Sequence, residues 1–228
     1  MSKEKQQLFD KCKEDPSLIF TYIKQERFND VLEVLVNNVV SINQLDNVGN
    51  DVMARLLKAK QYNMVIALMK KKNWNVNNQN IEGFTFAHIL ACDNSLMAVK
   101  VAEHLTKKSN YIPDLKNANG DTALDLALRN NHLCLAFKIL EDKRFTNIDM
   151  LSFRNLFNTT VGNKLYGKYS KISNLEIIVD NLEKKELNAE LRDLINYIRN
   201  NMEAIKNTIL NNRAVILDNI INNNLIEA

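Results

Sequence analysis

A glycine turn that returns at nearly constant spacing constrains this chain more than any other feature. Gly49, Gly83 and Gly120 are separated by 34 and 37 residues, and each opens the same frame: Gly49-Asn50-Asp51-Val52-Met53-Ala54, Gly83-Phe84-Thr85-Phe86-Ala87-His88 and Gly120-Asp121-Thr122-Ala123-Leu124-Asp125. Glycine tolerates positive φ, and the Thr or Asp two positions on offers a side-chain oxygen to the free backbone N–H groups of a beginning helix. In the third copy Leu124, Ala127 and Leu128 then recur at helical spacing, Asn130-Asn131 offers a left-handed ending, and Leu133, Leu135, Ala136, Ile139 and Leu140 mark a second helix. So short a connection makes the two helices antiparallel. One such hairpin cannot bury its apolar faces alone, so the repetition predicts a stack of them.

These positions resemble the ankyrin-repeat family, whose pattern runs D-x-x-G-x-T-P-L-H-x-A-A-x-x-G-H-x-x-I-V-x-x-L-L. Asp46, Gly49, Met53, Met64, Val65, Leu68 and Met69 fit it in one repeat. Gly83, Thr85, His88, Ala91 and Val99 fit in the next, and Gly120, Thr122, Leu124, Ala127, His132, Ile139 and Leu140 in the third. The departures are regular. The family's proline is Val52, Phe86 and Ala123 here, and its helix-ending glycine is Lys60, Asn94 and Asn131. The resemblance implies an all-α helical-repeat solenoid, with helix pairs near 15–43, 46–77, 80–113 and 117–148, that acts as a protein-binding scaffold. His88 and His132 stand where the family's histidines stand, and His88 is expected to tie adjacent repeat loops together by hydrogen bonds. The resemblance also implies a concave face made of turn tips and inner-helix ends. Its residues would be Asn47, Val48, Asn50, Lys58 and Ala59, then Ile81, Glu82, Phe84, Cys92 and Asp93, then Ala118, Asn119, Asp121, Arg129 and Asn130. Ile81 and Phe84 stand out, because turn tips are normally polar and two exposed apolar side chains would make an interface anchor. The competing reading folds both back against a neighbouring turn.

The rest of the chain fits this frame. Asp15-Pro16-Ser17 is an N-cap followed by proline at a first helical position, preceded by a short leading helix over Gln6–Cys12. Ile19, Tyr22 and Ile23 with Phe28, Val31, Leu32, Val34 and Leu35 then form a pair in the same register, read as a divergent capping repeat. The residues that lengthen the second spacing are assigned to a loop over Thr106–Pro113. Beyond the array at 1–145 the frame fails. Residues 146–172 read as a connecting segment and 173–228 as a C-terminal helical unit, with an apolar stripe of Leu187, Leu191, Leu194, Ile195, Ile198, Met202, Ile205 and Ile209. That unit caps the array, self-associates through 187–209, or holds a second partner.

Composition narrows the function. Hydrophobic residues make up 46% of the 228, enough for a sizeable core, and Gly 5 with Pro 2 suits helices more than a loop-rich fold. A net charge of +3 is too balanced to argue for direct nucleic-acid binding. No uncharged run is long enough to span a bilayer, and Met1-Ser2-Lys3-Glu4-Lys5 leads into no apolar leader, so a soluble chain is expected; the unpaired cysteine pattern suits a reducing compartment, hence an intracellular protein, cytoplasmic or nuclear. Cys12, Cys92 and Cys134 have no C-x-x-C spacing and read as small buried hydrophobes. Three histidines, dispersed one to a helix, make no metal site, and no nucleophile or phosphate-loop motif occurs, so neither catalysis nor a cofactor is expected. The leading expectation is a non-catalytic adaptor that binds another protein. A regulatory subunit of a nuclear, transcription-associated complex and an effector enzyme with an unfamiliar C-terminal site are the alternatives. Far-ultraviolet circular dichroism should give a predominantly helical spectrum that a chelator leaves unchanged; a strand-dominated spectrum, or loss of signal with EDTA, would defeat this architecture.

Overall fold

The computed structural model describes residues 2–93, 95–130, 132–140, 142, 144–145, 179–180, 182–183, 189–200 and 202. The described residues are helical and contain no β-strand, with an isolated antiparallel bridge between Leu45 and Asp51. The chain divides into two compact units, Met1–Ala123 and Leu124–Ala228, so the division falls inside the last of the four expected helix pairs.

The first unit contains α1 (Lys3–Glu14), α2 (Leu18–Lys24), α3 (Phe28–Val36), α4 (Val52–Lys58), α5 (Tyr62–Leu68), α6 (Phe86–Ala91) and α7 (Leu96–Leu105). Consecutive helices pair as α2 with α3, α4 with α5 and α6 with α7. The pairs stack through α2 on α4, α4 on α6 and α5 on α7. Tyr22, Leu56 and Leu90 lie at the repeat interval, as do Ile23, Leu57 and Ala91, and all six are buried. Each row is a ridge of the core that runs through successive pairs, the arrangement by which hairpins too small to stand alone share one apolar interior.

Several expectations at the helix ends need correction. The leading helix α1 is longer than Gln6–Cys12. It is capped by Ser2, whose side chain accepts from Lys5 N, and it packs Phe9 and Cys12 against α2 and α3. Pro16 is not the first helical residue: Asp15 Oδ1 accepts from both Ser17 N and Ser17 Oγ, a local turn that delays α2 to Leu18. The longer second spacing is not a loop insertion either. Helix α7 has 10 residues where α5 has 7, while the loops 69–79 and 106–116 are equal in length, so the extra residues add about one helical turn. The lengthened helix continues one buried face through Ala98, Val101, Ala102 and Leu105.

Lys60, which takes the place of a helix-ending glycine, has φ 57°, and Glu26 has φ 59° at the same point after α2. Both accept a left-handed strain that glycine would avoid. Asn94, Asn131 and the connecting segment 146–172 lie outside the described residues.

In the second unit α8 (Ala123–Arg129) starts directly after Thr122, as the frame predicts, and α9 (Leu133–Leu140) follows. His132 N donates to the Ala127 carbonyl at 2.7 Å, which closes the end of α8. The described part of the C-terminal helix is α10 (Ala189–Asn200). Its stripe residues Ile195 and Ile198 are buried, as are Met202, Val179 and Leu182. Arg199 on α10 binds Glu183 (Nε to Oε1, 2.8 Å) and Asp180 (2.5 Å), exposed pairs that orient more than they stabilise.

Gly49, Gly83 and Gly120 have φ of 79°, 74° and 82°, but their surroundings differ. A Cβ on Gly83 would stand 2.7 Å from Ala118 N, whereas on Gly120 it would meet nothing within 4 Å among the described residues. Gly83→Ala should therefore destabilise by about 2–4 kcal/mol and Gly120→Ala by only about 1–2 kcal/mol, the cost of the backbone conformation alone. Urea denaturation of the two variants checks this, and equal losses would show that the close approach of the two turns carries no energy.

Candidate functional site

The turn tips are built by one local device used three times. Three residues before each glycine stands an Asx residue whose Oδ1 accepts two backbone N–H groups across the turn. Asp46 takes those of Val48 (3.0 Å) and Asn50 (2.8 Å), Asn80 those of Glu82 (3.0 Å) and Phe84 (2.9 Å), and Asn117 those of Asn119 (2.9 Å) and Asp121 (3.0 Å). The tips then join in series. Ile81 N donates to the Val48 carbonyl at 3.0 Å, and Ala118 N donates to the Glu82 carbonyl at 2.9 Å.

Side chains reinforce each junction differently. Between the first and second turns, Asn80 Nδ2 donates to Asn50 Oδ1 at 3.1 Å. Between the second and third, the residue aligned with Asn50 is Phe84, which has no acceptor, and Asn117 Nδ2 is buried without a hydrogen-bond partner. His88 makes that junction instead. Its Nδ1 accepts from Thr85 N at 3.1 Å, which puts the ring proton on Nε2, and Nε2 donates to the Asp121 carbonyl at 2.9 Å. The expected loop-tying role of His88 is therefore met, and Phe84 leans on its ring at a centroid distance of 5.6 Å.

Charge follows the same logic. Asp46 lies beside Arg55, nine residues on, and the two form an ion pair. The residues nine after Asn80 and Asn117 are Ile89 and Leu126, and the turn there uses a neutral amide. Burial pushes the Asp46 carboxyl up, but the N–H groups of Asn50 and Val48 and the Arg55 guanidinium outweigh it, so the group titrates below its ordinary value. Asp51, the buried N-cap of α4, goes the other way. Burial dominates and raises it, although it accepts from Ala54 N at 2.7 Å and Trp74 Nε1 at 2.8 Å.

Two adjoining grooves run beside the tips in the first unit. One, of about 390 Å³, is lined by the apolar Leu57, Ile89 and Phe84 together with the charged Lys58, Lys60, Glu82 and Asp93. The neighbouring groove, of about 740 Å³, includes Phe20, Ile23 and Phe28 with Lys24, Arg55 and Lys58. Of the expected contact residues, Lys58, Glu82, Phe84, Cys92 and Asp93 are thus brought to one groove, and Asn47 and Ala59 to the other.

Within that set exposure is uneven. Ile81 is 73% exposed, and Lys58, Glu82, Asn119 and Arg129 are also exposed, whereas Asn50 is only 2% exposed. Asn50 is a correction: its side chain serves the junction between turns. Phe84 and Val48 are half-buried, so the expected apolar pair reduces to Ile81 alone. Asp93 is committed to Tyr62 Oη at 2.7 Å and Ser95 N at 3.0 Å, and Asp121 is half-buried with its carbonyl bound by His88. Arg129 is on α8, in the second unit. Cys92, expected to be buried, is exposed, while Cys12 is covered and its thiol is pushed up by that burial.

Several contributors were not read from the sequence. Asn43 and Asn77, 34 residues apart, each clamp the following loop: Asn43 bonds Asn73 O (2.6 Å) and Asn75 N (2.7 Å), and Asn77 bonds Asn110 O (2.6 Å) and Ile112 N (2.9 Å). Trp74 is buried, with its ring edge-on to Phe86 at 5.0 Å. The interval between the two asparagines, and a lone tryptophan in a polar loop, were the available signals.

Against known proteins, the chain matches no family model and no curated protein. Among the described residues no group of three His, Cys, Asp or Glu side chains could hold a metal ion, and no helix is long and apolar enough to cross a membrane.

Because Asp46 titrates below its ordinary value, its stabilising contribution is present above the unfolded-state pKa and is lost as pH falls through the folded one. The stability gap between the wild type and Asp46→Asn should be widest near neutrality and shrink on acidification. Denaturant midpoints across that range measure it, and a gap that stays constant with pH would show that the Asp46 charge contributes nothing.

Proposed function

We propose that this chain is an ankyrin-like repeat scaffold, non-catalytic, that binds another protein through the turn tips and the groove beside them. The observation that carries this reading is the convergence of Lys58, Glu82, Phe84 and Asp93 on one groove, next to a tip that exposes Ile81. A lining that mixes apolar side chains with charges of both signs suits an extended protein segment, which supplies apolar anchors and fixes its register by charge. The repeat interval and the paired helices support the ankyrin-like part of the reading. The balanced net charge supports a protein partner over a nucleic acid, and an intracellular compartment, cytoplasmic or nuclear, is part of the same proposal.

The exposure of Ile81 at a turn tip supports the same reading. An exposed isoleucine gives up contact with water only when a partner covers it, and burying such a side chain contributes about 1.5–3 kcal/mol. Ile81→Ser should therefore weaken binding by that amount and leave the melting temperature unchanged, since the side chain touches little of its own fold. Phe84→Ser should lower both, because the ring also rests on His88. Affinity capture with quantitative mass spectrometry, comparing wild type, Ile81→Ser and Lys58→Glu at matched stability, tests the reading. A partner held equally by all three would place binding away from this groove.

A further inference from the structure

The three repeat turns differ in the residue that precedes glycine: Val48, Glu82 and Asn119. They differ also in how the glycine is covered. A Cβ on Gly49 or Gly83 would press on backbone of the following turn, at 3.1 Å from Asn80 and 2.7 Å from Ala118, whereas a Cβ on Gly120 would meet nothing among the described residues within 4 Å. Asn119 and Gly120 are both exposed. The Asn119 backbone N–H is held by Asn117 Oδ1 at 2.9 Å, while its own carboxamide enters none of the hydrogen bonds of the turn. Asn119-Gly120 is the single Asn-Gly step in the chain.

We propose that Asn119 is a self-modification site, deamidated by attack of its own backbone with water as the only co-reactant. Gly120 N, after losing its proton to hydroxide, attacks Asn119 Cγ. The new N–Cγ bond closes a succinimide ring, the Cγ–Nδ2 bond breaks, and the amide leaves as ammonia after taking a proton from water. Water then opens the ring at Cγ to give aspartate, or at the main-chain carbonyl to give isoaspartate. The sum consumes one water and releases one ammonia, with no change in oxidation state. Glycine suits the attacking position because no Cβ obstructs the approach of its nitrogen. The bond from Gly120 N to the Asn117 carbonyl, 2.9 Å, has to open first, and local opening is easiest at an exposed turn with an uncovered face.

The two products act differently. Aspartate adds a negative charge at the tip beside Asp121 and leaves the main chain unaltered. Isoaspartate adds a methylene to the main chain inside 117–121. The Gly120 N to Asn117 O bond, the Asn117 N to Asp121 O bond and the His88 link to Asp121 cannot then all be kept. The isoaspartyl product therefore loosens the third turn, whether or not a partner binds there.

The test is ageing of the full-length chain at neutral and mildly alkaline pH, followed by peptide mapping with mass spectrometry and enzymatic methylation of isoaspartate. Amide loss is expected at Asn119 ahead of every other asparagine, faster as pH rises, and abolished in Asn119→Gln. The isoaspartyl fraction should melt below unmodified protein, while Asn119→Asp, which carries the charge without the added methylene, melts with the wild type. An intact Asn119 in the folded chain, under conditions that deamidate a free peptide of residues 114–125, would overturn the proposal. So would amide loss led by any other asparagine.

Discussion

A side-chain oxygen that accepts two backbone N–H groups across a turn is the constraint on which the first unit depends. Without Asp46, Asn80 and Asn117 the glycine turns would leave donors facing inward, and an unpaired buried N–H costs about as much as a lost hydrogen bond. With them, each tip is a rigid loop that presents one carbonyl to the next tip. Val48 O to Ile81 N and Glu82 O to Ala118 N then set the spacing between helix pairs. The positive φ of the glycines is a consequence of that closure, and the near approach of Gly83 to Ala118 is what the absent side chain permits.

The ladder is satisfied by different chemistry at each step, and this accounts for residues that look idiosyncratic. A carboxylate occurs in the first turn, where Arg55 stands beside it, and amides occur in the next two, where the matching residue is apolar. A buried carboxylate without a cation is costly, so the choice of Asp or Asn follows from the neighbour rather than from the turn. The same reasoning links Phe84, the unpaired Asn117 Nδ2 and His88. Once Phe84 replaces an amide acceptor, the second junction relies on the imidazole to hold the Asp121 carbonyl. On the other side of the pairs, Lys71 Nζ reaches the Leu35 carbonyl at 2.7 Å and Lys108 Nζ reaches the Lys71 carbonyl at 3.3 Å, so part of an apparently solvated lysine run serves helix ends.

Much of the fold was legible because it rests on local chemistry. Glycine turns, Thr and Asp caps and apolar residues at helical spacing act within a few positions of one another, and their recurrence exposes the stack. The candidate groove was partly legible for the same reason, since Lys58, Glu82 and Phe84 follow from the repeat frame. What the frame could not convey is how far each side chain is already used. Asn50, Phe84 and Asp93 look like surface residues until their partners, tens of positions away or in the adjacent turn, are in place.

The sequence by itself determined the helical character, the repeat interval, the positive-φ glycines and the role of His88, all of which depend on residue type at short range or at one fixed interval. Only the tertiary structure decided the rest. It put the three additional residues into α7 instead of a loop, because there Leu105 extends the buried face of Ala98, Val101 and Ala102. It turned Asn43 and Asn77 from unremarked loop residues into clamps and buried Trp74 against Asp51 and Phe86, since those partners meet only when successive pairs stack. It left Ile81 in solvent and Phe84 half-covered for a similar reason: the imidazole that shelters one ring has no counterpart beside the other side chain.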